Sequence, residues 1–157
     1  MVEVGRPRYH GAVNTAAIEA RLRAFFEDEP RGAVAVYLFG SVARDDARPG
    51  SDVVVGVLFG EDPPATLEAP QFAIEVRLEQ LLGLPVQVVA LNRASADLVH
   101  RVLLDGRIVL DRDPPARIRF EVRRRNEYFD LAPIRRLYRG YPPPSGNASA
   151  RLAEPRR

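Results

Sequence analysis

The feature that most constrains this chain is the stretch from Tyr37 to Phe59, YLFGSVARDDARPGSDVVVGVLF. Ala33–Phe39 is almost continuously apolar and ends at Gly40-Ser41. A short polar segment follows, and Ser51-Asp52 opens a second apolar run to Phe59. Seven or eight apolar residues bounded by turn formers read as a strand buried on both faces. Two such strands joined by so short a link place a Gly-Ser hinge at one end of the unit and a carboxylate at the other.

The rest of the chain supplies cover for that unit. Asn14 or Thr15 caps a helix to about Asp28 with Ile18, Leu22, Phe25 and Phe26 on one face, and Pro30-Arg31-Gly32 ends it. The segment after Gly40, SVARDDA, is expected to form a short helix, and Pro49-Gly50 turns the chain. A helix is expected from about Leu67 to Leu82, with Ile74, Leu78, Leu81 and Leu82 as its buried stripe, Gly83 as its cap and Pro85 as its stop. Pro85–Leu91 reads as a third strand. Ser95 or Asn92 opens a helix through Leu104 that ends at Gly106, and Arg107–Asp111 is a short fourth strand. Asp113 followed by two prolines starts a long helix to about Tyr128, with a broken continuation to Tyr138; its apolar positions are Ile118, Val122 and Phe129. Tyr128 and Phe129 are expected in the core. The result is an α/β fold, a small mixed sheet flanked by helices, with strands two and three presenting side chains together at one edge. The domain is expected to span residues 1–139, with the helical extension from about residue 114. The stretch 140–157 has too few apolar residues to pack and reads as a disordered basic tail.

Composition excludes several chemistries. The 157 residues contain no cysteine and no lysine, so disulfides, thiolate metal sites, thiol nucleophiles, Schiff bases and the P-loop lysine are all out. No apolar run approaches the roughly 18 residues needed to cross a membrane, and the N-terminus has no signal-peptide core; a cytoplasmic protein is expected. Residues 1–111 carry 11 arginines against 16 acids, and residues 112–157 carry 12 against 5. Such a basic C-terminal arm suits an acidic partner, but a solvated helix face and tail explain it more simply, and nucleic acid is not the expected partner.

The Gly-Ser turn has a physical job available to it. Gly40 has no Cβ, so a phosphate can approach the backbone, and Ser41 adds a hydroxyl and an N–H at the start of the expected short helix. Arg44 and Ser51 are placed to contribute to a phosphate cradle, and Asp52 opens its strand with a side chain free to reach the same group.

With those residues in place, the chain resembles the minimal nucleotidyltransferases of the DNA polymerase β superfamily, the antitoxin-like proteins that pair with HEPN-domain proteins. The family's turn reads Gly-Ser, then Ala-Arg-Gly, then Ser-Asp-hydrophobic-Asp. Here Gly40-Ser41, Ala43-Arg44 and Ser51-Asp52 match. PVQVVALNRASADLVHRVLLDGRIVLDRD and EYFDL extend the resemblance over roughly residues 14–135. It implies the polymerase β-type nucleotidyltransferase fold, magnesium and ATP or another nucleoside triphosphate as ligands, a HEPN partner in a hetero-oligomer or homo-oligomer, and transfer of AMP to a tyrosine of that partner.

The departures from the pattern bear on activity. Asp52 takes the place of the first metal-binding carboxylate. The second position, two residues on and on the same strand face, is Val54. The third, on the next strand, is Gln87, and Asp45 replaces the glycine of Ala-Arg-Gly. Magnesium takes oxygen ligands in octahedral geometry; valine offers none and glutamine only a neutral carbonyl. The expectation is an impaired antitoxin-like protein that acts by binding, with Asp52 a weak metal ligand and no assured catalytic residue. An active adenylyltransferase rescued by Asp45 or Asp46, and a nucleotide-binding or structural subunit with no toxin partner, stay open. Glu75 and Glu79 read as surface charges, His10 and His100 as structural or exposed, and Arg123–Arg125 as a solvated face. Arg93 and His100 match an Arg-x6-His ribonuclease spacing only by chance.

Overall fold

The computed structural model describes residues 14–139. The N-terminal residues with His10 and the basic tail 140–157 lie outside that range. A four-stranded sheet is built from β1 (Ala33–Phe39), β2 (Val53–Phe59), β3 (Val86–Ala90) and β4 (Arg107–Asp111), in the order β3-β2-β1-β4. β1 runs antiparallel to β2 and β4, while β2 and β3 are parallel. The two apolar runs are thus the two inner strands, and all but the second residue of each is buried, as continuous hydrophobic strands demand.

Each face of the sheet has its own helical cover. Asn14 caps α1 (Thr15–Asp28) by accepting from the Ala17 N–H, and the stripe Ile18, Leu22 and Phe26 meets Val36, Leu38, Val55 and Val57. α2 (Pro70–Leu82) adds Ile74, Leu78 and Leu82 to that core. It starts three residues later than expected, and Leu81, expected in the stripe, is 45% exposed; it lies about 60° from Leu78, at the rim of the stripe. The second face carries Tyr37, Phe39, Leu58 and Leu91 beneath Val99 and Val102 of α3 (Ala96–Asp105) and Phe120 of α4 (Pro114–Asp130). Gly56 packs closely there: a Cβ would meet Leu91 Cδ2 at 3.0 Å, so Leu91 would have to shift to admit one.

Two acids expected at the surface hold a strand edge, and the two candidate openers of the third helix take separate roles. Glu79 accepts from the Val86 N–H (3.2 Å) and Glu75 from the Val88 N–H (2.9 Å), so the two acids of α2 satisfy the outer edge of β3 and are not free surface charges. Asn92 accepts from the Phe59 N–H and donates to the Phe59 carbonyl, extending the sheet beyond β2, while Ser95 caps α3.

The C-terminal part corrects the expected helix face. Asp113 and the two prolines start α4 as expected. Yet Ile118 and Val122 are each 49% exposed and Phe129 61%, whereas Phe120 is buried. The packed face is the opposite one, held by mixed polar and aromatic residues: Tyr128 stacks on His100 at 3.6 Å and Arg135 lies over the same ring. The chain breaks at Leu131, and α5 (Ala132–Arg139) follows with Pro133 in its first turn. No helix among the described residues is long and apolar enough to cross a membrane.

α4 is anchored to the sheet by one polar cluster. Arg117 donates to Asp111 and to Glu121 (2.8 Å each), and the Tyr37 hydroxyl donates to the same Glu121 oxygen at 2.8 Å. Burial, then the Glu121 carboxylate, push the Tyr37 phenol above the ordinary tyrosine range. Above pH ~10 the unfolded phenol loses its proton while the folded one keeps it. Stability carried by Tyr37 is therefore present below that pH and lost as pH rises, by about 1.4 kcal/mol per unit. Urea unfolding across the alkaline range should show this slope, and Tyr37→Phe should flatten it.

Candidate functional site

The Gly-Ser hinge forms as the sequence suggests, but not as a helix start. Gly40 adopts φ +83°, a left-handed conformation that disfavours any side chain. Residues 41–45 make one turn, closed by the Arg44 N–H to the Gly40 carbonyl (3.2 Å) and the Asp46 N–H to the Ser41 carbonyl (3.0 Å). Asp45 at φ +57° ends it, so the expected short helix after Ser41 does not form and brings no helix dipole to the turn. The turn is fastened from below, where the buried Thr15 hydroxyl at the start of α1 donates to the Val42 carbonyl at 2.8 Å.

Asp52 stands exposed just before β2, and Val54 follows two residues later on the same face. In the parallel ladder Val54 is the direct partner of Gln87, and across the antiparallel ladder it is the partner of Phe39. The positions singled out from sequence therefore come together: Gly40 follows Phe39, Val54 lies beside it, and Gln87 stands next on β3. Gln87 is exposed and Val54 half-buried. A Cβ built on Gly40 would sit 3.4 Å from Val54 Cγ2. A valine side chain thus borders the turn where the family pattern has a carboxylate.

The neighbouring charges are engaged elsewhere. Asp45 pairs with Arg107 of β4 at 2.9 Å, and that guanidinium also donates to the Ala43 carbonyl. β4 borders β1 on the side away from β2 and β3. Asp46 pairs with Arg44 at 3.4 Å. Ser51 accepts from the Arg48 N–H at 2.9 Å, closing the loop ahead of β2. Among the described residues no three His, Cys, Asp or Glu side chains gather as a metal-holding group. Asp52, a valine and a neutral amide do not fit the paired magnesium ions of nucleotidyl transfer, which need carboxylates to hold them. What the arrangement offers is a bare backbone turn, the Ser41 side chain and one free carboxylate.

Arg93 and His100 are not brought together. Arg93 donates to the Pro63 carbonyl, while His100 faces Tyr128. The arginine run 123–125 hides a residue that the sequence reading missed: Arg124 donates to the carbonyls of Leu91, Asn92 and Ala94 at 3.0–3.1 Å and to Glu127 at 2.9 Å. It fixes the turn that leaves β3. Its only sequence signal is helical spacing, since it lies four residues after buried Phe120.

Comparison with known proteins gives a consistent picture. The family model described as "Polymerase beta, Nucleotidyltransferase" matches residues 21–115. A chain of a toxin–antitoxin crystal structure with AMP-PNP is 22% identical, superposes with a TM-score of 0.67, and matches over 76% of this chain and 94% of its own length. A structure of a tri-AMPylated Shewanella oneidensis HEPN toxin in complex with MNT antitoxin gives 21% identity, a TM-score of 0.63, and coverage of 80% and 95%. One of the toxin–antitoxin pair MntA–HepT gives 21%, 0.62, and coverage of 78% and 94%. No curated protein matches.

Proposed function

The chain belongs to the polymerase β nucleotidyltransferase family, and from that premise we propose that it is the antitoxin-like member of a pair with a HEPN-type toxin, acting by binding and with nucleotidyl transfer lost or nearly so. The observation that carries the second half is the place of Val54 next to the Gly40 turn, with Gln87 beside Val54 in the ladder. Where transfer needs carboxylates to gather metal around a triphosphate, this site has a methyl group and an amide. Asp52 remains as a single ligand, so any nucleotide it helps to bind is held without the charge needed to activate an attacking hydroxyl. The pairing is supported by fold likeness to chains from toxin–antitoxin structures, along more than three quarters of this chain.

Both halves are tested with the protein, labelled ATP, magnesium and the HEPN protein encoded beside it. The expected result is a stable complex on co-purification with no label on the HEPN protein. Label that appears on it and disappears with Asp52→Ala would overturn the loss of transfer; failure of the two proteins to associate would overturn the pairing.

A further inference from the structure

The outward face of α4 is unusual in both its apolar and its charged residues. Ile118, Val122 and Phe129 lie within about 40° of one another around the helix, and all three are half-exposed or more. A shallow groove runs alongside them, flanked by Arg119 and Arg123 toward the helix N-terminus and by Glu127 and Asp130 toward its C-terminus. Among the described residues Arg119, Arg123 and Asp130 enter no ion pair, and Glu127 meets only Arg124. Exposed apolar side chains in a row, rimmed by charges most of which have no ion-pair partner, mark a surface that is covered in the working protein.

We propose that this face is covered by a second copy of the chain, α4 against α4 in antiparallel two-fold contact. The charge order selects the occupant. A partner of one sign would meet repulsion along half of the face. A second copy run in the opposite direction sets its acidic half against the basic half, and the two-fold axis satisfies both halves at once. One register serves all the groups. Centred between Arg124 and Arg125, it brings Arg119 opposite Asp130 of the mate and Arg123 within one residue of Glu127 of the mate. The same register drops Phe129 of the mate between Ile118 and Val122, as a side-chain knob enters the gap between residues one turn apart. These charges occupy the same flank of the helix, and in an antiparallel two-fold pair like flanks face each other. A single helix pair is a small interface, so the dimer is expected to be weak and concentration-dependent. The inference is independent of any partner protein.

Sedimentation of the full chain from about 1 μM to about 1 mM tests it. A monomer–dimer equilibrium is expected. Arg119→Glu and Asp130→Arg each place like charges opposite each other twice per dimer and should weaken it about tenfold or more. The double variant Arg119→Glu/Asp130→Arg should restore it, and so should mixing the two single variants. Both positions are exposed, so the fold is not at stake; circular dichroism confirms this. A chain that stays monomeric overturns the proposal, as does a dimer indifferent to the single variants, or a double variant no better than either. Capture of a different protein on this face, competing with self-association, overturns it too.

Discussion

Replacing Val54 and Gln87 by aspartate should convert the site from one indifferent to magnesium into one that binds ATP at least about tenfold more tightly with magnesium than without it. The geometry for this is in place. Val54 and Gln87 are ladder partners, and Asp52 lies two residues before Val54 on the same face, so three carboxylates would converge beside the Gly40 turn. The same convergence costs stability when no metal is present. One new carboxylate replaces a half-buried methyl against Gly40, and like charges sit directly across a strand pair. The metal-free variant is expected to lose about 2–4 kcal/mol at neutral pH. Crowding raises the folded-state pKa of these carboxylates above their unfolded values, so the folded form holds more protons. The variant's stability should therefore fall as pH rises through that range, and part of the deficit should vanish in mild acid. Val54→Asn is the control: it pays for polarity without charge, and its deficit should be nearly independent of pH. Calorimetry with ATP, with and without magnesium, reads the gain. If the double variant shows none, the turn at Gly40 is not a phosphate cradle, and its glycine serves only the left-handed backbone.

How much of this was legible from sequence depends on what each residue answers to. The inner strands were legible because a long apolar run flanked by turn formers has few other places to go, and β1 and β2 occupy the stretches expected of them. Strand alternation puts Asp52 and Val54 on one face, the family resemblance points to Gln87 beside them, and the parallel register pairs Val54 with Gln87. The turn after Ser41 is not legible, because SVARDDA has helix-forming residues but only one turn's length before Asp45 enters the left-handed region. On α4 the apolar spacing points to the wrong face. Ile118, Val122 and Phe129 have helical spacing, which ordinarily marks the buried side. Here the sheet-facing side is built from Arg117, Phe120, Glu121, Arg124 and Tyr128, and the polar ends of Arg117, Glu121 and Arg124 reach partners on other elements as well as along α4: Asp111, Tyr37 and the carbonyls after β3. Spacing reports which residues are apolar; it cannot report that a guanidinium three turns into a helix has carbonyls waiting for it. Glu75 and Glu79 eluded the sequence for the same reason, since their partners are the N–H groups of an edge strand.

Arg124 gives that distinction its largest measurable consequence. Arg123, Arg124 and Arg125 are consecutive and chemically identical, yet their expected contributions differ several-fold. Arg124 is 14% exposed in its side chain and engages three carbonyls, one carboxylate and, at 5.5 Å, the ring of Phe120. Arg125 is half-exposed and reaches Glu121 only at 4.0 Å. Arg124→Ala should cost about 3 kcal/mol, because it strands partly buried carbonyls of the turn Leu91–Arg93 and removes charge-assisted hydrogen bonds worth about 1.5–3 kcal/mol each in gross terms. Arg125→Ala should cost less than about 0.5 kcal/mol. Arg124→Lys should recover less than half of the loss, since an ammonium on a flexible stem does not span carbonyls and carboxylate with a planar fork. Denaturant unfolding of the three variants measures all of this. The turn held by Arg124 leaves β3 directly after the strand that carries Gln87, so hydrogen exchange in Arg124→Ala should also rise at Leu91–Ala94 before it rises in β1. Equal stability losses for the Arg124 and Arg125 variants would mean that the guanidinium does not fasten α4 to the sheet.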